Sequence, residues 1–337
     1  MKKVRAILIA SLSLFFFACE NDIELAGEFQ EKPVVFGLLN VRADTQFIKV
    51  SKTFLQEGAN AIELAQNPNN IYYDSVSVKL IKTEDNSEIV LSKLSRGKND
   101  GVFTTEGSTI YFTTAPIEAN KEYQLAVQPR NSAGATSKIV VIDTASVSNP
   151  SFGRDIGFVT RIRGIGETTF KFRVPNNIAE IKANLFFYYI ESMPDGQQIE
   201  RTVEIPIATV INNNVSEDGT RTTEVEAKFS GLLFFNAVAD QVTNKVNRKS
   251  VASTSPNNKC FAIELIAADE TYKFYQDLNG PIDGLVQVRP EFSNIENGVG
   301  LFSSRSAVTI GRYGIATETR EELFQGDITG DLNFTPL

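Results

Sequence analysis

From residue 33 onward the chain is a succession of short runs in which apolar and polar residues alternate, separated by turns rich in Gly, Asn and Asp. Alternation at period two gives a segment one core face and one wet face, so it dictates sheets. Residues 75–81 are the cleanest case, with Val76, Val78 and Leu80 on one face. An apolar run predicts a strand at 33–40, and further strand signals follow at 46–54, 88–94, 102–105, 109–113, 122–128 and 138–143. Turns such as Glu84-Asp85-Asn86 and Lys98-Asn99-Asp100-Gly101 separate them. Many short strands with such turns predict a β-sandwich over 33–145. The connection 56–70 breaks the pattern. It is either a plain crossover with a helical turn near 61–66 or a functional loop.

The stretch Lys121-Glu122-Tyr123-Gln124-Leu125-Ala126-Val127 resembles the late strand of immunoglobulin-like and fibronectin-type domains, in which a Tyr precedes alternating core residues. The resemblance implies an immunoglobulin/fibronectin-like sandwich. The chain has no Trp, which excludes an antibody-type Cys…Trp…Cys core. Residues 144–150 are small and polar and mark a boundary. Beyond it, 150–325 reads as a second β-rich domain with two short helices. Its predicted strands are 158–163, 168–174, 182–192, 199–210, 224–230, 261–267, 299–302 and 306–310. Met193-Pro194-Asp195-Gly196 is a hairpin turn. Leu233, Ala237, Val238, Val242 and Val246 recur near helical spacing and predict a helix within 232–248. A second helix over 269–278 has Asp269 as its N-cap and stops at Gly280-Pro281. Residues 326–337 read as a coil tail. The fold class is mainly β.

The N-terminus carries an address. Lys2, Lys3 and Arg5 precede an apolar run from Ala6 to Phe17. That run is shorter than the roughly 20 residues a membrane-spanning helix needs, and it suits a signal-peptide core. Ala18-Cys19 follows directly, and 1–18 resembles a bacterial lipoprotein signal, in which a small residue precedes a lipidated Cys. The resemblance implies that Cys19 becomes an acylated N-terminus, and several acyl chains anchor stably where one does not. An ordinary secretory signal cut near Ala18 would leave Cys19 without a role. Cleavage would remove three basic residues, taking the formal net charge from −8 to −11. Residues 19–32 then form an acidic tether. Its Glu20-Asn21-Asp22-Ile23-Glu24 resembles the export signal that carries Bacteroidota lipoproteins to the cell surface, which favours surface display over the periplasmic face.

Composition excludes much chemistry. With no His there is no imidazole-activated nucleophile, no His-ligated zinc and no histidine pH switch. Two Cys cannot build a Cys-rich metal site. The acidic balance argues against nucleic acid, because phosphate demands a basic face. No cofactor, catalytic or metal-ligating residue is assigned. With Cys19 acylated, Cys260 would be the one remaining free thiol, and its apolar neighbours read as core. Asp327-Ile328-Thr329-Gly330-Asp331 superficially resembles a calcium loop but lacks the ligand spacing and the twelfth-position Glu.

Two short motifs and one longer segment carry further resemblances. Asp74-Ser75-Val76 and Asp143-Thr144-Ala145 resemble the acceptor for O-glycosylation of exported Bacteroidota proteins. They imply Ser75 and Thr144 as acceptors, Thr144 being the better because a linker should be exposed. Ser293-Asn294-Ile295-Glu296-Asn297-Gly298-Val299-Gly300-Leu301-Phe302, with Val34-Val35-Phe36-Gly37-Leu38-Leu39, is similar to segments of an uncharacterised Bacteroidota outer-membrane lipoprotein family, whose members often occur beside TonB-dependent receptors. On the residues alone, 293–302 reads as a structural turn ahead of a ligand site. Together these features lead to a non-enzymatic, lipid-anchored outer-membrane protein. It would be an accessory or binding subunit of a TonB-dependent receptor or another outer-membrane protein. A glycan-binding lipoprotein of a polysaccharide-uptake system is the first alternative. A hydrolase using paired carboxylates is the second.

Overall fold

The computed structural model describes residues 29–55, 59–95, 97, 101–213, 215–216, 219–251, 260–280 and 291–335. Cys19, the signal segment 1–18 and most of the tether lie outside them. Every strand and helix among the described residues belongs to the body Lys32–Leu337.

Pro33–Leu39 and Gln46–Lys52 bury alternate residues, as period two requires. Val35, Leu39, Ile48 and Val50 are buried, while Phe36, Phe47 and Lys49 are exposed. The two strands pair antiparallel, and Thr109–Thr113 and Ser92–Ser95 extend their sheet. A second sheet is ordered Ser87–Val90, Val76–Lys82, Glu122–Pro129, Ala135–Val140. It brings Val78, Leu80, Leu125, Val127 and Ile139 into the same core as Val35 and Ile48. Two sheets sharing one core make a sandwich. Tyr123 is buried in it, and its hydroxyl accepts from the Glu118 N–H at 3.2 Å. That contact ties the strand to the loop before it, as in a tyrosine corner.

Val299–Ile315 is a 17-residue strand that joins this sandwich to the rest. Its first part runs parallel to Pro33–Leu39, Val34 lying opposite Val299 and Leu39 opposite Ser304. From Arg305 on it pairs antiparallel with Phe261–Ala268. Glu180–Ser192 and Gln198–Ile211 carry the sheet further, to eleven strands. The hairpin between those two turns at Met193–Gly196, where Gly196 takes φ 86°.

Five helices are described: α1 (Ala61–Ala65), α2 (Pro68–Ile71), α3 (Gly231–Gln241), α4 (Glu270–Asn279) and α5 (Thr317–Gln325). None is long and apolar enough to cross a membrane. A three-stranded sheet of Ser146–Asn149, Glu167–Pro175 and Thr222–Ser230 packs with α3 over the second core. That core is aromatic. Phe234 of α3 sits 4.8 Å from Phe158 and 5.3 Å from Phe187, centroid to centroid. The Ser230 side chain caps α3 by accepting from the Leu232 N–H.

The mainly β reading holds, with local corrections. Residues 102–105 are not a strand, because the Thr104 N–H goes to the Ala65 carbonyl at 2.8 Å instead of to a ladder. The fourth strand of its sheet lies at Ala135–Val140, not at 138–143. The helix expected within 232–248 ends at Gln241, and the Asn244 side chain then accepts from the N–H groups of Val246 and Asn247 to form a turn. The expected pair of strands at 299–302 and 306–310 is one continuous strand. The expected coil tail holds a 3₁₀ turn, Gly330–Leu332, and a short strand, Phe334–Thr335, that pairs with Lys249–Ser250. The hydrophobic cores divide near the expected boundary, Val141 belonging to the first and Ile142 to the second. Ile295 and Phe302, however, return to the first core from the C-terminal third.

Candidate functional site

The 293–302 segment is the closing seam of the first sandwich. The Asn294 amide reads the backbone of Phe302 from both sides: Nδ2 donates to its carbonyl, and Oδ1 accepts its N–H at 2.9 Å. Glu296 exchanges both backbone hydrogen bonds with Thr136, at 2.8 and 3.1 Å. Ser137 Oγ donates to the Asn294 carbonyl at 2.7 Å. Ile295 and Phe302 enter the core. Its polar groups serve the fold, as the reading of a structural turn requires.

The next residues build a buried polar junction. Ser303 and Ser304 are both fully buried. Ser304 Oγ donates to the Leu39 carbonyl and accepts from the Ile142 N–H, each at 3.1 Å. Asp269 faces them as the N-cap of α4. Its carboxylate accepts from the Tyr272 N–H at 2.7 Å, the Ser304 N–H at 3.1 Å and the Ser303 hydroxyl. Burial pushes the Asp269 carboxyl above the ordinary aspartate value, and these three donors pull against it. A raised folded-state value means its stabilising contribution is complete below the ordinary 3.8 and is lost as pH rises through the folded-state value. Asp269→Asn, which cannot ionise, is expected to flatten the thermal-unfolding midpoint against pH in that window. Asp269→Ala removes the cap and strands buried donors, and is expected to cost about 2 kcal/mol in a urea titration.

Between this cap and the edge of the first sandwich lies a cleft of about 290 Å³, lined by Lys138, Ile139, Val140, Asn177, Asp269 and Glu270 among others. A hollow of about 360 Å³ shares Val215 and Glu270 with it and adds Lys273 and Phe274. Lys273 is paired with Asp277 at 2.6 Å, and that hydrogen bond raises its pKa. Asn177 is only 6 % exposed. Its Nδ2 donates to Asn120 Oδ1 at 2.8 Å and to the Val141 carbonyl at 3.3 Å, which fixes the amide orientation. Its Oδ1 is left buried without a donor among the described residues. Both Asp269 oxygens are occupied by donors of the chain itself and Asn177 Oδ1 is buried, which leaves Lys138 and Glu270 as the charged groups of the cleft. Nothing in the local sequence around Asn177 or Lys138 marks them, since they converge only through the fold.

A third hollow, of about 300 Å³, includes Tyr189, Glu191 and Arg201 in its lining. Glu191 accepts from Arg201 Nε at 2.9 Å and Asn247 Nδ2 at 2.8 Å. Burial pushes its carboxyl up, but Asn247 and Arg201 outweigh that and hold it below the usual range. Nearby, Lys249 is fully buried, donating to the carbonyls of Asn247 and Leu332 at 2.8 Å each. Burial lowers its pKa, and the Glu191 charge opposes this. The cluster pins the C-terminal residues, since Leu332 and Phe334 both enter the second core.

The residues singled out from the sequence do not meet in one place. Ser75 is exposed, on the turn before Val76–Lys82. Thr144 is half-buried, and its hydroxyl accepts from Arg42 Nε at 3.2 Å and Ser306 Oγ at 3.3 Å. The expected order of exposure is therefore reversed, because the linker packs against the long strand. Cys260 is buried in the second core. Asp331 pairs with Lys245 at 2.6 Å, and Thr329 Oγ1 donates to the Leu323 carbonyl at 2.9 Å. Compared with known proteins, the chain matches no family model and no curated sequence.

Proposed function

We propose that this chain is a lipid-anchored outer-membrane lipoprotein, held by acylated Cys19 and displayed at the cell surface. In this reading it is a non-enzymatic accessory or binding subunit of an outer-membrane receptor or complex. A TonB-dependent receptor is the partner the family resemblance suggests. One observation carries the proposal: the N-terminal Cys falls immediately after Ala18, at the end of an apolar run too short to span a bilayer. A binding role is supported by the complete absence of His and by the engagement of Asp269 and Glu191 with structural donors. Anchoring confines the protein to the membrane surface and raises its effective concentration toward partners there. Membrane fractionation tests the anchor. Cys19→Ala is expected to move the protein from the membrane to the soluble fraction, and a variant that stays membrane-bound overturns the reading. Affinity purification of the native protein from membranes is then expected to bring a receptor with it.

A further inference from the structure

The cleft beside Asn177 is bounded by an unfinished sheet edge. Ala135–Val140 is the outermost strand of its four-stranded sheet. Neighbouring residues of an antiparallel strand direct their N–H and C=O groups alternately toward the paired strand and away from it. Val141 turns inward, donating to the Lys121 carbonyl and accepting from the Asn120 N–H. Thr136 turns outward, where Glu296 takes both of its groups. Ile142 also turns outward, donating to Ser304 Oγ. By the same alternation Lys138 and Val140 turn outward, and both line the 290 Å³ cleft. Among the described residues, no other segment of the chain reaches them. After Glu296 pairs with Thr136, the neighbouring Asn294 is drawn off to Gly300 and Phe302. Among the described residues, two rungs are thus open between two that are filled. Lys138 is exposed and Val140 half-buried, so the rungs are reachable.

We propose that this cleft is a peptide-binding site in which an extended segment of a partner protein adds to the sheet at Lys138 and Val140. The bridge at Thr136 shows the mode: one extended residue of this chain already sits on the adjacent rung by exchanging backbone hydrogen bonds. Backbone pairing supplies affinity with little demand on sequence. The charged groups at the rim, Lys138 and Glu270, supply selection. This inference goes beyond membrane anchoring and stands apart from it.

The test uses the Cys19→Ala chain, so that its result is distinguishable from failure of the anchor. Amide signals of Lys138 and Val140 are followed by NMR while a randomised pool of capped hexapeptides is added. Saturable shifts at both positions are expected. A pool N-methylated at every residue, which lacks its backbone donors on both edges of the strand, is expected to lose them. Val140→Pro removes the outward N–H while leaving the inward ladder intact, and is expected to abolish the peptide response at Lys138 with the unfolding midpoint unchanged. No shift with the plain pool overturns the proposal. So does an equal response to the methylated pool, or a response to a monosaccharide panel in place of peptide. The methylated pool decides the question even if Val140→Pro does not fold.

Discussion

Gly300→Ala is expected to cost about 4 kcal/mol or more, enough to leave much of the chain unfolded at ordinary temperatures. Gly300 takes φ 120°, a conformation L side chains rarely adopt. It also lies opposite Val35 in the parallel ladder. A Cβ there would stand 1.9 Å from the Val35 carbonyl oxygen, a backbone atom that cannot swing aside. Relief requires the two strands to separate. Separation breaks the rungs from Val34 to Leu39 and withdraws Phe302 from the core. A urea titration followed by circular dichroism measures the loss. Gly311→Ala is the control on the same strand, since an added Cβ meets nothing within 4 Å there. A Gly300→Ala protein that unfolds at the midpoint of the Gly311→Ala protein would mean that the parallel pairing is absent.

Phe234→Ala is expected to cost about 3–5 kcal/mol, the range for emptying an aromatic site in a packed core. Phe234 is fully buried, and its ring meets Phe158, Phe187, Phe235 and Phe261 at centroid distances of 4.8, 5.3, 5.1 and 5.6 Å. These rings come from a loop, two strands and α3, so relaxation at one cannot fill the void. The neighbouring Leu233 is 54 % exposed, and Leu233→Ala is expected to stay within about 0.5 kcal/mol. Thermal unfolding of the two variants side by side separates a packing loss from a loss of helix propensity. Equal midpoints would contradict the core assignment.

Elements whose signals are local were legible in the sequence. The Asp269 cap of α4 is one, because the capping side chain and the N–H it serves lie three residues apart. The alternating strands are another, because burial on one face leaves its imprint at every second residue. Elements stabilised from afar were not legible. Ser303 and Ser304 look like a break between two strands. They are buried because Asp269, Leu39 and Ile142, all distant in sequence, satisfy them. Lys249 reads as a surface residue, and only the Leu332 and Asn247 carbonyls allow it inside. Helix α5 has no side-chain cap to announce it. The cleft is the extreme case, since its walls come from 138–140, Asn177, Val215 and the start of α4. No periodicity records such a meeting.

The long strand also sets the order in which the molecule can be made. Ser304 bonds to Leu39 across 265 positions of sequence, and Ile295 and Phe302 fill a core whose other buried residues end at Val141. The first sandwich therefore lacks one of its own strands until residues 299–304 have been synthesised, about nine-tenths of the way along the chain. Contacts this remote are slow to form, and they tie the two cores into one folding event. A chain built this way locks its first core only when its C-terminal portion arrives.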